Sequence, residues 1–199
     1  AIAQGYLKGP RLFIAGRAAP YGPEALGRFA SALVVIELTS MLCTLGEKRG
    51  LAQRLSESDE EPANIVADGT LVALLVSCVI ALALWLFPLP LFPGGHYTQT
   101  DRLIVIAIPP LALTEIWLAA LAYRFNVGAT VRARAVVEPW TISIMAGAMI
   151  WIAPESGLSL AYIASIFAGA LTAFIPFFRE YGVPRSWRPR PGEMHRLAA

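Results

Sequence analysis

The chain has 199 residues, of which 56% are hydrophobic and only 15% are charged, with a formal net charge of +2. Soluble domains carry about 25% charged residues, so the composition argues against an ordinary soluble domain. The basic residues cluster at the ends of apolar runs, which argues against a nucleic-acid-binding surface. No Asp, Glu, Lys or Arg lies between Asp68 and Asp101, or between Glu155 and Arg179. Both stretches exceed the roughly 18 residues that indicate a membrane-spanning helix, so we predict a polytopic membrane protein.

The first segment in chain order, residues 1–19, is the hardest to assign. It is about as long as a membrane span, but it contains Lys8, Arg11 and Arg17. On insertion scales such charges cost about 2.5 to 3.5 kcal/mol each near the bilayer centre. The segment is therefore either a surface segment with snorkelling side chains or a span whose cations face a wet interior.

Five apolar segments follow, and backbone groups in lipid must be satisfied internally, so each is predicted to be a helix. They cover residues 29–46, 69–87, 103–123, 135–153 and 158–178. We predict an all-α fold, a transmembrane bundle of five spans plus a charged first helix. The expected organisation is a first helix and outer turn (1–28), the five-helix bundle (29–178) and a basic cytoplasmic tail (179–199).

The distribution of Lys and Arg predicts the orientation of the bundle, because cytoplasmic loops are enriched in these residues. Alternate connections and the tail hold eleven of them, whereas the two opposite connections that follow Phe29 hold only Arg102. The loops at 47–63 and 124–134 and the tail are therefore predicted to be cytoplasmic. The segment 88–101, the turn 154–157 and the turn before Phe29 are predicted to lie outside.

Ionisable residues inside the apolar segments indicate where function resides, because burying them in a bilayer is expensive. Glu37 lies mid-span, and Glu115 lies well inside its segment. Two alternatives remain open for these carboxylates: a structural pair with a neighbouring arginine, or a role in an aqueous cavity. Pro109 and Pro110 predict a bent or broken helix, which is tolerated where the backbone lines a cavity.

The sequence gives weak support for a metal, cofactor or enzyme site. His96 and His195 fall on opposite predicted faces, so they cannot share a metal, and no cofactor-binding motif is present. A membrane-embedded enzyme of envelope-glycan assembly would need a catalytic outer loop, for which His96, Asp101 and Arg102 are the candidates. A non-catalytic scaffold subunit is the third alternative, and it would need no charges inside the bilayer.

The motif RAAPYGPEALGRF, which ends at Phe29, resembles the start of polysaccharide flippases in the multidrug/oligosaccharidyl-lipid/polysaccharide exporter superfamily. In that family an arginine ends the first helix, a turn of the form GPExxGxF follows, and the second helix closes with Leu-Gly before a basic segment. Similar features occur along this chain: Gly22, Pro23, Glu24, Gly27 and Phe29 in the turn, Leu45-Gly46 and Arg54 after it, and RARAVVEPW at 132–140.

The resemblance implies a six-helix N-terminal lobe of a transporter that moves a polyprenyl-pyrophosphate-linked oligosaccharide by alternating access. It implies that Lys8, Arg11 and Arg17 bind the pyrophosphate, and that Glu37 and Glu115 pair with these cations or carry coupling ions. The expected partners are this lipid-linked oligosaccharide, membrane lipids, and either a missing C-terminal lobe or a homodimer partner. The expected location is the bacterial inner membrane.

Overall fold

The computed structural model describes residues 21–44, 47–57, 61–184 and 187. Within these residues the fold is helical and contains no strand, so the predicted all-α class is confirmed. The helices are α1 (Gly22–Thr44), α2 (Glu47–Glu57), α3 (Pro62–Leu86), α4 (Gln99–Tyr123), α5 (Val127–Ile152) and α6 (Gly157–Tyr181). All except α2 are long and apolar enough to cross a membrane, which confirms a multi-pass membrane protein. The predicted charged first helix, residues 1–19, lies outside the described residues.

Helix α1 begins at Gly22, seven residues before the predicted start at Phe29. The backbone φ at Gly22 is +83°, a conformation that residues with a Cβ rarely adopt. The next residue is Pro23, whose fixed φ suits the first helical turn. Residues 22–28, which the sequence analysis assigned to an outer turn, therefore form the first turns of α1.

The inner connection between α1 and α3 is more ordered than the predicted polar loop. It contains α2, whose Leu51 is buried against α3 and α4. Helix α3 starts before the predicted Gly69, so Asp68 lies within it. The Asp68 carboxylate lies 3.8 Å from Nη2 of Arg54 and accepts a 2.7 Å hydrogen bond from Nε1 of Trp187. These contacts tie α2 and the segment after α6 to the start of α3.

Helix α4 is irregular where the two prolines predict it. It begins as α-helix over Gln99–Arg102, narrows to a 3₁₀ segment over Leu103–Ala107, and continues as α-helix over Ile108–Tyr123. Proline lacks a backbone N–H and clashes with the preceding helical turn, so the regular pattern restarts at Pro109 and Pro110. The predicted irregularity is confirmed.

Helix α5 begins at Val127, although the sequence analysis assigned residues 124–134 to a cytoplasmic loop and started the span at Ala135. Its inner part contains a π-helical segment, Val131–Val137, before regular α-helix resumes at Glu138. The loop between α4 and α5 is therefore short, and Arg134 lies inside a membrane-spanning helix.

Helices α4 and α6 are the most buried spans, and α3 and α5 are the least buried. The main core joins α1, α4, α5 and α6, and a smaller cluster joins α2, α3 and α4. At one end of the bundle, Nε of Arg28 lies 3.3 Å from Asp101 and its Nη2 donates to the carbonyl of Glu155. The start of α1, the start of α4 and the α5–α6 turn thus lie at the same end, as the predicted topology requires. We call this the outer end.

Candidate functional site

A polar cleft of about 340 Å³ lies among α1, α4, α5 and α6. Four of its lining residues are acidic or basic, and three further ones carry hydroxyl groups. They are Glu37, Glu115, Arg134, Glu138, Ser40, Tyr162 and Ser165. At 1.5 Å per residue, Glu115 lies about 12 Å along α4 from its inner end, and Glu138 about 16 Å along α5. The hydrocarbon layer is about 30 Å thick, so the charges lie at membrane depth.

Arg134 holds the charged groups of the cleft together. Its Nη1 donates to both carboxylate oxygens of Glu138, at 2.9 and 3.0 Å. Its Nη2 forms a short hydrogen bond with Oε1 of Glu115 on α4. The side chains of Arg134, Glu115 and Glu138 are 25%, 28% and 15% exposed, respectively. One guanidinium thus bridges two helices through two mostly buried carboxylates.

The π segment of α5 contributes to this geometry. Arg134 lies within it, and Glu138 is the first residue of the α-helix that follows. A π turn holds more residues than an α turn, so the residues before it are rotated about the helix axis relative to those after it. Such π-bulges occur frequently at functional sites. The segment ends where α5 turns its Arg134 and Glu138 side chains towards α4 and α6.

Close packing of α6 against α5 fixes Glu138 from the other side. A Cβ atom at Gly169 would lie 2.6 Å from Cγ of Glu138, so no larger residue fits without moving that carboxylate. Ser165, Gly169 and Ala173 are all buried. Small residues at such a spacing allow two membrane helices to approach each other closely.

The structure brings the two carboxylates singled out from the sequence to the same cleft. Glu115 forms an ion pair with Arg134, which matches the structural-pair alternative. Glu37 lines the cleft and is exposed, and no cation of the described residues lies within ion-pair distance of it. Lys8, Arg11 and Arg17, the predicted substrate-binding cations, lie outside the described residues.

Tyr162 was missed by the sequence analysis. Its side chain is 6% exposed and packs edge-on against Phe29, with ring centroids 6.0 Å apart. Among the described residues, its hydroxyl has no hydrogen-bond partner. Buried hydroxyls are nearly always hydrogen-bonded, so the Tyr162 hydroxyl is a distinctive feature of the cleft wall.

Arg134 and Glu138 are not among the predicted site residues, because Arg134 falls in the predicted loop 124–134 and Glu138 near the start of the predicted span 135–153. One signal was available in the sequence. Opposite charges four residues apart face the same side of a helix, and this pair directly precedes an apolar run. That spacing would have placed both residues on a helix that enters the membrane.

The outer-loop residues considered for an enzyme have other roles in the structure. Asp101 is 3% exposed, forms a reciprocal cap with Thr98, and accepts a 3.0 Å hydrogen bond from Ser159. Arg102 donates to the carbonyl of Trp85 and stacks over its indole ring at 4.8 Å. His96 is exposed on the loop. Asp101 and Arg102 therefore hold the outer end of the bundle together.

The described lining of the cleft combines carboxylate and hydroxyl acceptors with one guanidinium. Such a group can bind a polar ligand and exchange its ion pairs for contacts with that ligand. In the part of the chain that the structure describes, no three His, Cys, Asp or Glu side chains are placed to hold a metal ion. Comparison of the chain with protein-family models, curated proteins and solved structures gives no match.

Proposed function

We propose that this chain is one lobe of a flippase-like transporter, which moves a polyprenyl-pyrophosphate-linked oligosaccharide across the bacterial inner membrane by alternating access. The chain works either with a second lobe or as a homodimer. The observation that carries the proposal is the cleft, where Glu115, Arg134 and Glu138 form an ion-pair cluster at membrane depth.

The energetic cost of this cluster supports a transport role. Ionisable groups inside a bilayer are rare and usually mark a substrate or ion pathway. A scaffold subunit needs only an apolar packing surface between its helices, and the described bundle already has one in its main core. The cleft of about 340 Å³ and its charged lining go beyond what such packing requires.

The division of charge along the chain fits the proposed substrate. A pyrophosphate requires cationic partners, and the resemblance assigns this role to Lys8, Arg11 and Arg17. In the described lining of the cleft, carboxylates outnumber cations, with Arg134 facing both Glu115 and Glu138. We therefore assign the pyrophosphate to the N-terminal cations and the cleft to another part of the transport cycle.

The enzyme alternative receives less support from the described outer end. Catalysis at a glycan would need an acid or base free to reach the substrate. Both oxygens of the Asp101 carboxylate already accept hydrogen bonds, and Arg102 is held by Trp85. His96 alone would have to supply the chemistry.

The test is the leaflet distribution of the lipid-linked oligosaccharide in the cell that makes this protein. When the coding sequence is deleted, the sugar should remain on the cytoplasmic leaflet, protected in spheroplasts from an added glycosidase that cannot cross membranes. Arg11→Ala should give the same protection, and Arg196→Ala in the predicted tail is the matched control.

Three results separate the functions. Normal digestion of the sugar in the deletion strain would refute the transporter, and normal digestion in the Arg11→Ala strain would refute the role of that residue. An enzyme of glycan assembly would instead leave the sugar accessible but unextended, and would be inactivated by His96→Ala. A transporter tolerates His96→Ala.

A further inference from the structure

One face of α1, which we call the open face, is left uncovered by the described residues. Its apolar members Val34, Leu38 and Met41 are 57%, 57% and 58% exposed, and Glu37 lies among them and is exposed as well. Glu37 and Met41 also line the cleft. The cleft therefore opens along this face, and an element that covers the open face also closes the cleft.

Glu37 makes the open face unlike an ordinary lipid-facing surface. It lies 15 residues after Gly22, the first residue of α1, which is about 22 Å along the helix from the outer end. The hydrocarbon layer is about 30 Å thick, and a carboxylate that faces lipid inside it is costly. No ion pair joins Glu37 to a cation of the described residues. Charge complementarity therefore favours an occupant that brings a cation to this depth.

The chain enters the described fold beside the open face, at its outer end. Tyr21 directly precedes α1, and its hydroxyl donates a 2.5 Å hydrogen bond to the carbonyl of Ala146 on α5. The same hydroxyl lies so close to Gly157 that a Cβ atom there would be 2.7 Å from it. Tyr21 thus joins α1 to α5, and the cleft lies between these two helices. The residues before Tyr21 start at the outer end of the cleft.

The position of Lys8 in the sequence matches the depth of Glu37. The sequence predicts that residues 1–19 are long enough to span the membrane, and Lys8 lies 13 residues before Tyr21. A helix that runs back from Tyr21 towards the inner end places Lys8 about 20 Å from the outer end. This is within one helical turn of the depth of Glu37, a separation that the four-carbon lysine side chain can span. Arg11 would lie nearer to the outer end.

From these observations we infer that residues 1–20 pack on the open face of α1 and close the cleft, with the ammonium of Lys8 forming an ion pair with Glu37. Of the two alternatives for this segment, the inference selects a span whose cations face the interior of the bundle. Each charge then stabilises the other at a depth where either alone is costly. Arg11 and Arg17 remain for the pyrophosphate, a division that rests on the proposed function.

Disulfide trapping of the full chain in native membranes tests the packing. The two cysteines of the chain, Cys43 and Cys78, are first replaced by alanine. Single cysteines are then placed at each of positions 9–15, together with Val34→Cys on the open face, and oxidised with copper phenanthroline. A disulfide requires Cα atoms within about 7 Å. We expect cross-links at positions that recur every three to four residues, as for a helix that faces Val34.

Leu75→Cys is the matched control for Val34→Cys. Leu75 is 54% exposed on α3 and lies about 16 Å from the outer end of that helix, a depth similar to that of Val34. It should form no cross-link with positions 9–15. Cross-links to Leu75 in place of Val34, or cross-links to neither, would overturn the inference. A product of twice the chain mass from Val34→Cys alone would assign the open face to a second copy, with the same consequence.

A double-variant cycle on the best cross-linked pair tests the ion pair itself. Lys8→Met and Glu37→Gln should each slow cross-linking at least threefold, because each leaves one charge unpaired at membrane depth. The double variant should be no slower than either single variant, and Lys8→Arg, which keeps the charge, should cross-link at the original rate. Glu155→Gln, on an exposed outer-end residue, is the control and should change nothing. Effects of Lys8→Met and Glu37→Gln that multiply in the double variant would refute the pairing.

This inference and the proposed function can fail separately. Cross-linking to Val34 together with a normal leaflet distribution in the deletion strain would refute the transporter and leave the packing of residues 1–20 intact. Protection of the sugar in the deletion strain, without any cross-link to Val34, would refute the packing and leave the transporter intact.

Discussion

Removing Arg134 tests whether the ion-pair cluster holds α4, α5 and α6 in place. We choose Arg134→Met, which keeps most of the aliphatic length and removes the guanidinium. The substitution breaks two hydrogen bonds to Glu138 and one to Glu115. It leaves both carboxylates, together with Glu37, in a cleft without any other cation from the described residues.

The magnitude follows from the burial of the three groups. Removing one partner of a fully buried ion pair costs about 3 to 5 kcal/mol, whereas exposed pairs contribute about 0 to 1 kcal/mol. The three side chains here are between 15% and 28% exposed, so they lie nearer to the buried limit. We expect a loss of about 3 kcal/mol in the free energy of unfolding.

The assay is reversible unfolding in mixed micelles, followed by tryptophan fluorescence. Arg132→Met is the matched control, because Arg132 lies on the same π segment, is exposed, and donates a hydrogen bond to the carbonyl of Gly128 within its own helix. The double variant Arg134→Met/Glu138→Gln should recover part of the loss, since it removes one of the unpaired carboxylates. Equal stability of the two single variants would refute the reasoning.

Three further predictions concern packing, the outer end and pH. Gly169→Ala should lower the free energy of unfolding by about 1 to 3 kcal/mol, because the added Cβ would displace Glu138. Gly27→Ala is the control: its added Cβ meets no neighbouring atom, and alanine favours the helix more than glycine does, so the unfolding midpoint should rise. Asp101→Asn should lower the free energy of unfolding by about 2 kcal/mol, because it weakens the buried ion pair at the outer end, and an unchanged urea or SDS midpoint would contradict that role. Burial raises the pKa of Tyr21 above its ordinary 10.0. The stabilising contribution of its neutral hydroxyl is therefore complete below pH 10 and is lost as the pH rises through the folded-state pKa. In an absorbance titration of tyrosinate, the Tyr21→Phe variant should lack one group that titrates late in the wild-type protein.

The five described spans could be predicted because a long apolar run is visible in the composition alone. A run of apolar residues long enough to cross the bilayer has few alternatives to a helix. The ends of the spans were predicted less accurately. A helix can extend past its apolar run as long as its polar side chains have hydrogen-bond or ion-pair partners. Asp68 remains helical because Arg54 and Trp187 satisfy its carboxylate, and the start of α1 continues to Gly22 because Arg28 reaches Asp101.

The candidate site could be predicted only in part, for a reason that Arg134 makes clear. In the sequence, Arg134 is one of the basic residues that predict a cytoplasmic loop between α4 and α5. In the structure, it lies in α5 and forms an ion pair with Glu115. Its position depends on contacts with α4 and α6, which are distant in sequence, and on a π segment that no local sequence pattern predicts.

Glu37 and Glu115 could be identified because a carboxylate stands out in an apolar run. Tyr162 could not, because a tyrosine in a membrane helix is ordinary until its hydroxyl is seen to be buried without a partner. A carboxylate can thus be recognised from the sequence alone, whereas the surroundings of a hydroxyl become visible only in the folded chain.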